Sequence, residues 1–331
     1  MKRHLHIYIF CLTLIFCISS CTKDTDKFTP YSTSEFNDVS WSASPISLAK
    51  SQAIIAALFK SPFTANFNSN SNVVYNFNNQ IQLSLPGNSY TLNGVNYNGS
   101  INVSLQQLSS KGDFIRNLIP SCNADNLFSS KSALLLNLTD NLKNSLSLSS
   151  GTSYSISLAD SSINNVYLSG NAVTPSEGSV YWSVADSSST GFLFPSNILM
   201  NNQTVLVNQI TSKKLNWISF ATPLQTGSLA NSNIVLAAQN FTNKNTIVFA
   251  VFKDENIVLR LQPDYGKKVF LAQNLPIGSN IQLVSISYID DKFYLGKQDI
   301  VVSNSLQYTI NPYPSLTSSS LAEVNNFLDG L

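Results

Sequence analysis

Between Asn72 and Leu158 apolar side chains recur at every second position in short runs, and Asn, Gly, Ser or Pro interrupts each run after five or six residues. That period belongs to an extended strand with one buried face. Val73–Phe77, Ile81–Leu85, Ile101–Leu105, Ala133–Leu138 and Tyr154–Leu158 read as strands on this basis. Asn93-Gly94 and Asn98-Gly99 supply residues that accept the positive φ of tight hairpin turns. Short strands at this spacing predict an antiparallel sandwich.

The second half continues in the same style. Val180-Tyr181-Trp182 and Leu215–Phe220 are aromatic, strand-like runs. Thr246–Phe252 and Asn256–Leu261 flank Lys253-Asp254-Glu255, a loop short enough to force antiparallel pairing. A further hairpin is predicted from Ile281–Tyr288 and Phe293–Leu295, turning at Asp290-Asp291. Two segments depart from period two. Ser44-Pro45 offers an N-cap and a first-turn proline ahead of Leu48, Ile54, Ile55, Leu58 and Phe59, which predicts one amphipathic helix covering an end of the β body. Ser320 and Glu323 stand at capping-box spacing before Val324, Phe327 and Leu328, which predicts a C-terminal helix.

The expected fold is all-β: two antiparallel β-sandwich domains in tandem, with a short helix before the first and another at the C-terminus. The corresponding segments are 45–62 for the first helix, 70–160 for the first sandwich and 161–178 for an Asn, Ser, Pro and Gly linker. The second sandwich is expected over 179–313 and the last helix over 318–331.

Leu83–Tyr90, Gly99–Leu105 and Gly112–Ile115, with Leu146–Thr152 as a penultimate turn, resemble the first domain of Bacteroidota-type outer-surface lipoproteins. More distantly they resemble the β-sandwich shared by zonula occludens proteins and netrin receptors. Leu275–Gly278 followed by Leu283–Ser287 resembles the closing strands of transthyretin-like and immunoglobulin-like surface modules, and Phe293–Lys297 recurs in the same lipoprotein group. The resemblance implies a sandwich fold and brings no catalytic residues with it.

Residues 1–20 read as an export leader: Lys2 and Arg3, an apolar run from Ile7 to Ile18, then two serines. The run is too short to span a bilayer. Ile18-Ser19-Ser20-Cys21 resembles the bacterial lipobox, which implies cleavage before Cys21 and acylation of its thiol and new amine. More than one acyl chain makes membrane attachment stable, so the expected partner of Cys21 is the lipid bilayer of the outer membrane. Residues 21–44, rich in Thr, Ser and Asp, fit a flexible tether. Thr22–Asp26 resembles the Lys-Asp type of surface-export signal, which implies display on the cell surface, while a plain solvated tether accounts equally for the same residues.

Processing would remove both histidines, His4 and His6, together with Cys11 and Cys17. The remaining chain then has no imidazole for Ser-His-Asp or Cys-His catalysis or for metal ligation. With Cys21 blocked, Cys122 alone remains, so neither an intrachain disulfide nor a thiolate zinc site can form. Of 19 basic residues Lys2 and Arg3 also leave, bringing the chain close to balance with its 18 acids. No basic patch for nucleic acid is visible, and no cofactor is implied.

Among residues that could carry chemistry, Tyr181, Trp182, Trp217 and Tyr265 are candidate platforms for stacking sugar rings, with burial in the core as the competing reading. Asp290, Asp291 and Asp299 could offer oxygen ligands to calcium, although their spacing matches no full calcium loop and a solvated hairpin tip explains the first two. Asp113 and Arg116 read as a structural ion pair or an active-site pair. Asn-x-Ser/Thr triplets at Asn98, Asn102, Asn137, Asn202 and Asn240 lose their glycan-acceptor meaning behind a bacterial lipobox. The expectation is a non-catalytic, membrane-anchored lipoprotein that binds a surface glycan or an envelope protein, in adhesion or scaffolding. Its rivals are glycan capture in a polysaccharide-uptake system and a histidine-independent carboxylate hydrolase.

Overall fold

The computed structural model describes residues 38–44, 46–78, 80–123, 127–159, 165–169, 182–184, 194–224, 227–229, 234–237, 241–272, 274–303, 308–309 and 317–331. The leader, Cys21 and most of the tether lie outside them. The chain is all-β in tandem sandwich-like sheets, as its alternation requires.

In the first body a six-stranded sheet runs β1 (Phe63–Asn68), β6 (Ser100–Leu108), β7 (Phe128–Thr139), β14 (Trp217–Pro223), β10 (Asn165–Ser169) and β11 (Trp182–Val184). Its partner runs β12 (Phe194–Met200), β13 (Gln203–Ser212), β9 (Tyr154–Leu158), β3 (Ile81–Leu85) and β2 (Val73–Phe77). A small third sheet, β5 (Val95–Asn96), β4 (Tyr90–Leu92) and β8 (Ser147–Leu148), closes one end. The alternate residues Ile81, Leu83 and Leu85, Ile101, Val103 and Leu105, and Leu134, Leu136 and Leu138 all point into one core shared with Ile156, Ile210 and Phe220. Asn93 and Gly94 both have positive φ in the two-residue turn between β4 and β5, as the Asn-Gly pair predicts.

The expected boundary at 161–178 does not separate the two bodies. β10 lies inside that segment, and β14 pairs β7 from Trp217↔Leu135 to Pro223↔Phe128 while β13 pairs β9. The first sandwich therefore draws strands from residues 63–223. Turn-rich composition does not distinguish a domain linker from a segment that, like this one, supplies a strand to a sandwich.

The second body, expected over 179–313, takes strands from 234–319. One sheet runs β18 (Gln262–Asp264), β19 (Val269–Ala272), β15 (Ile234–Ala237) and β22 (Tyr308–Thr309), the last pairing being parallel. The other runs β17 (Val258–Arg260), β16 (Thr246–Phe252), β20 (Asn280–Ile289), β21 (Lys292–Val301) and β23 (Thr317–Ser319). Every residue of β16 is buried, so both faces of that strand are covered and its sequence is continuously apolar rather than alternating. Both expected hairpins form: β16 with β17 and β20 with β21. Residues 38–44 of the expected tether pack here too, with Trp41 against Phe270 at 5.0 Å and Asp38 ion-paired to Lys244.

Three helices lie among the described residues. α1 (Leu48–Leu58) is capped by Ser47, whose Oγ accepts from the Lys50 amide at 3.3 Å, three residues later than the cap expected at Ser44. α2 (Lys111–Arg116) was unforeseen and occupies the Gly112–Ile115 corner; Ser110 and Asp113 form a full capping box, with 3.2 and 3.1 Å bonds. α3 (Leu321–Asp329) has the predicted Ser320–Glu323 box. Ile54 and Leu58 of α1, Phe114 and Ile115 of α2, and Val324 and Leu328 of α3 join one apolar cluster with Leu108 and Ala133 of the first body and Phe249 and Ile286 of the second. No helix among the described residues is long and apolar enough to cross a membrane.

Candidate functional site

Two polar constellations stand out, one closed and one open. The closed one joins the helices. Arg116 is 1% exposed, and its Nη2 donates to the Asn325 carbonyl at 2.9 Å and lies 3.0 Å from Asp329 Oδ1. Its Nη1 stands 3.6 Å from Asp113 Oδ1, and Lys60 Nζ bridges Asp113 and Asp329 at 3.0 Å each. Burial pushes the Asp113 carboxyl up, but Lys60 and the amides of Ser109 and Ser110 outweigh it and hold the group below its ordinary range. Burial likewise depresses the Lys60 ammonium, and the two aspartates outweigh that and raise it. Opposite shifts of this kind favour the charged forms of Asp113 and Lys60, as a structural ion pair requires. Gly112 completes it, since a Cβ there would lie 1.9 Å from the Leu328 carbonyl oxygen. Of the two readings of Asp113 and Arg116, the geometry is that of a helix clamp.

The open constellation lies on the outer face of the six-stranded sheet. With Ile101, Val103 and Leu105 pointing inward, Asn102 and Ser104 must point out. Register places Asn66, Asn102 and Thr139 in one cross-strand row and Thr64, Ser104 and Asn137 in the next. These six side chains line a concavity of about 360 Å3, with the backbone of Ala65 and Val103 beneath. No lining residue is charged. Asn102 Nδ2 donates to the Asp140 carbonyl and Asn141 Oδ1, while the side chains of Asn66, Ser104 and Asn137 hydrogen-bond no other described residue. Farther along the same face Gln106 bonds Asn117 at the end of α2, and Leu108 and Ala133 enter the junction cluster. On this face the β6–β7 positions near Leu108 and Ala133 are thus covered, and those near Asn102 and Thr139 are open.

The aromatic candidates do not form one platform. Trp182 is buried at 1% exposure, its Nε1 donates to the Pro120 carbonyl at 2.9 Å, and its backbone N–H donates to Asn123 Oδ1 at 2.8 Å. It is a core residue with its polar atom satisfied, as a buried indole requires. Tyr265 is 56% exposed in the loop between β18 and β19 of the other body, and Tyr181 lies outside the described residues. Trp217 is partly buried and pairs with Leu135, so it shares the outer face with Asn137, which stands two residues beyond Leu135.

The calcium candidates are not brought together either. Asp290 and Asp291 form the two-residue turn of β20 and β21 with φ of 48° and 59°. Asp299 pairs with Gln282, seven residue pairs away from that turn, a distance of about 24 Å along the strands. It is held by Lys253 Nζ at 2.6 Å and Gln282 Nε2 at 2.9 Å. No group of three or more metal-ligating side chains occurs among the described residues. Cys122 is a fully buried thiol whose pKa burial pushes up to about 12, so it is inert as a nucleophile in the fold.

The six lining residues went unnoticed as a set in the sequence. Asn102 and Asn137 were visible only as members of Asn-x-Ser/Thr triplets, and pairing of β1, β6 and β7 is needed to bring them beside Asn66. The available signal was that the outward positions of these strands carry amides and hydroxyls where a solvated face ordinarily carries charge. No protein-family model, curated protein or solved structure matches the chain.

Proposed function

We propose that the chain is an exported, lipid-anchored component of the bacterial outer surface that acts by binding or scaffolding and not by catalysis. The observation that carries the binding reading is the open end of the β1–β6–β7 face, a concavity of uncharged donors and acceptors in which the side chains of Asn66, Ser104 and Asn137 hydrogen-bond no other described residue. The charged clusters elsewhere support it from the other side. Asp113, Arg116, Lys60 and Asp329 hold helices together, and Asp140 spends its carboxylate on Leu142 and Asn144 of its own loop. The anchoring part rests on the lipobox-like Ile18–Cys21 run and its leader.

Fractionation of cells producing the wild-type chain and Cys21→Ser tests the anchor. Acyl label and membrane association are expected for the first and loss of both for the second. Incubation with glycan and peptide panels tests the rest: cleaved products from any of them would replace the binding reading with the hydrolase.

A further inference from the structure

We infer that the open end of the β1–β6–β7 face is a binding site for a neutral oligosaccharide, held by Thr64, Asn66, Asn102, Ser104, Asn137 and Thr139. This rests on the binding reading above and names its site and ligand class. Each lining side chain is an amide or a hydroxyl that can both donate and accept, and the hydroxyls of a sugar do the same. An anion would find no cation here and a cation no carboxylate. An apolar ligand would desolvate the amides of Asn66 and Asn137, which hydrogen-bond no other described residue, at a cost that a polyhydroxylated ligand avoids. The volume of about 360 Å3 lies at the small end of ligand pockets, which suits a short stretch of a chain lying across the strands.

The surroundings favour the same occupant. Trp217 lies diagonal to Asn137 on this face, at a separation of roughly 7–8 Å that an indole can span. Trp217 is half-buried against the junction cluster, and an indole on this face is a side chain on which the C–H-rich side of a pyranose can stack. An extended peptide would instead add to the free edge of β1. That edge is partly occupied, since the Tyr75 hydroxyl donates to the Asn66 carbonyl at 2.8 Å.

The test is titration of the full chain, in micelles of a zwitterionic detergent without a sugar headgroup, against an array of neutral glycans, hexagalacturonate and extended peptides. A neutral glycan should bind with an affinity unchanged between about 50 and 500 mM salt, because no lining group is charged. Asn137→Ala and Ser104→Ala should each weaken it, and the double Asn66→Asp, Asn137→Asp at least about tenfold, with unchanged melting because these sites are solvent-facing. Absence of any bound neutral glycan, tighter binding of the uronate, peptide binding that protects β1 amides, or glycan binding indifferent to all three variants would each overturn the inference. An acylated, non-cleaving chain that binds no glycan would leave the reading in the preceding subsection standing and sink only this one.

Discussion

Replacing Gly112 by Ala separates two physical effects of opposite sign. Gly112 lies inside α2, and in an isolated helix Gly→Ala is stabilising by about 1 kcal/mol. In the fold the new Cβ would stand 1.9 Å from the Leu328 carbonyl oxygen and 2.7 Å from its carbon, both backbone atoms that no rotamer change can remove. Relief requires α3 to move away, and that movement breaks the 2.9 and 3.0 Å contacts of Arg116 with Asn325 and Asp329. It also exposes Val324 and Leu328, each fully buried, at about 1.5–3 kcal/mol apiece. Undocking α3 costs about 3–6 kcal/mol on that count, and after the propensity gain the net loss is about 2–5 kcal/mol. Hydrogen exchange over residues 321–331 reads it directly, and amide exchange there should quicken at least about 30-fold. A chain lacking 321–331 provides the control, because with the carbonyl gone Gly112→Ala should turn mildly stabilising. Exchange that is unchanged or slower in Gly112→Ala would refute the close-approach argument.

Three further outcomes follow from the same geometry. Asp113→Asn should destabilise the chain by ~2 kcal/mol at pH 7 through loss of the cap and the Lys60 pair; the folded-state pKa of Asp113 is depressed, so its contribution is present above the unfolded value near 3.9 and is lost as pH falls through the lower folded value, and urea melts should show the gap between variant and wild type closing below about pH 4. The Cys122 thiol should resist a thiol reagent in the folded chain at pH 8 and react at once in denaturant; rapid labelling of the native protein would show that its burial is breached. Gly94→Val should cost about 1–2 kcal/mol from the positive φ alone, as no atom lies within 4 Å of an added Cβ, and a larger loss in thermal melts would mean that the turn does more than connect β4 to β5.

Strand positions were legible wherever one face of a strand meets water. β2, β3 and β6 alternate and fall where their period puts them. β16 shows no alternation because it is covered on both sides, yet its short loop to β17 still disclosed the hairpin. α2 escaped because six residues are too few to display a helical period, although Ser110 and Asp113 already carried its capping box. Strand order was not legible. Nothing local in Trp217–Pro223 says that it joins β7, about 80 residues earlier, and that one pairing moves the domain boundary. The candidate site inherits the same difficulty, since Asn66, Asn102 and Asn137 become neighbours only through register. Trp182 and Trp217 were visible as residues of interest, but burial, which sets the fully enclosed indole of Trp182 apart from the half-buried Trp217, depends on what lies across the sheet.

The outer face of β6 and β7 changes character along its length, and this links the fold to the proposed activity. At one end Leu108 and Ala133 are buried in the cluster that ties the two bodies and the helices together; at the other Asn102, Ser104, Asn137 and Thr139 stay open. Strands held rigid by burial at one end present the groups at the other end in a fixed register, which lowers the ordering cost of binding there. The absence of charge in the groove means that encounter is not steered over long range, so association relies on short-range hydrogen bonds and stacking. A single small polar site of this sort binds weakly. On the proposed reading the acylated Cys21 compensates, because many copies confined to one membrane surface engage a repeating glycan together and gain by effective concentration what each site lacks in affinity.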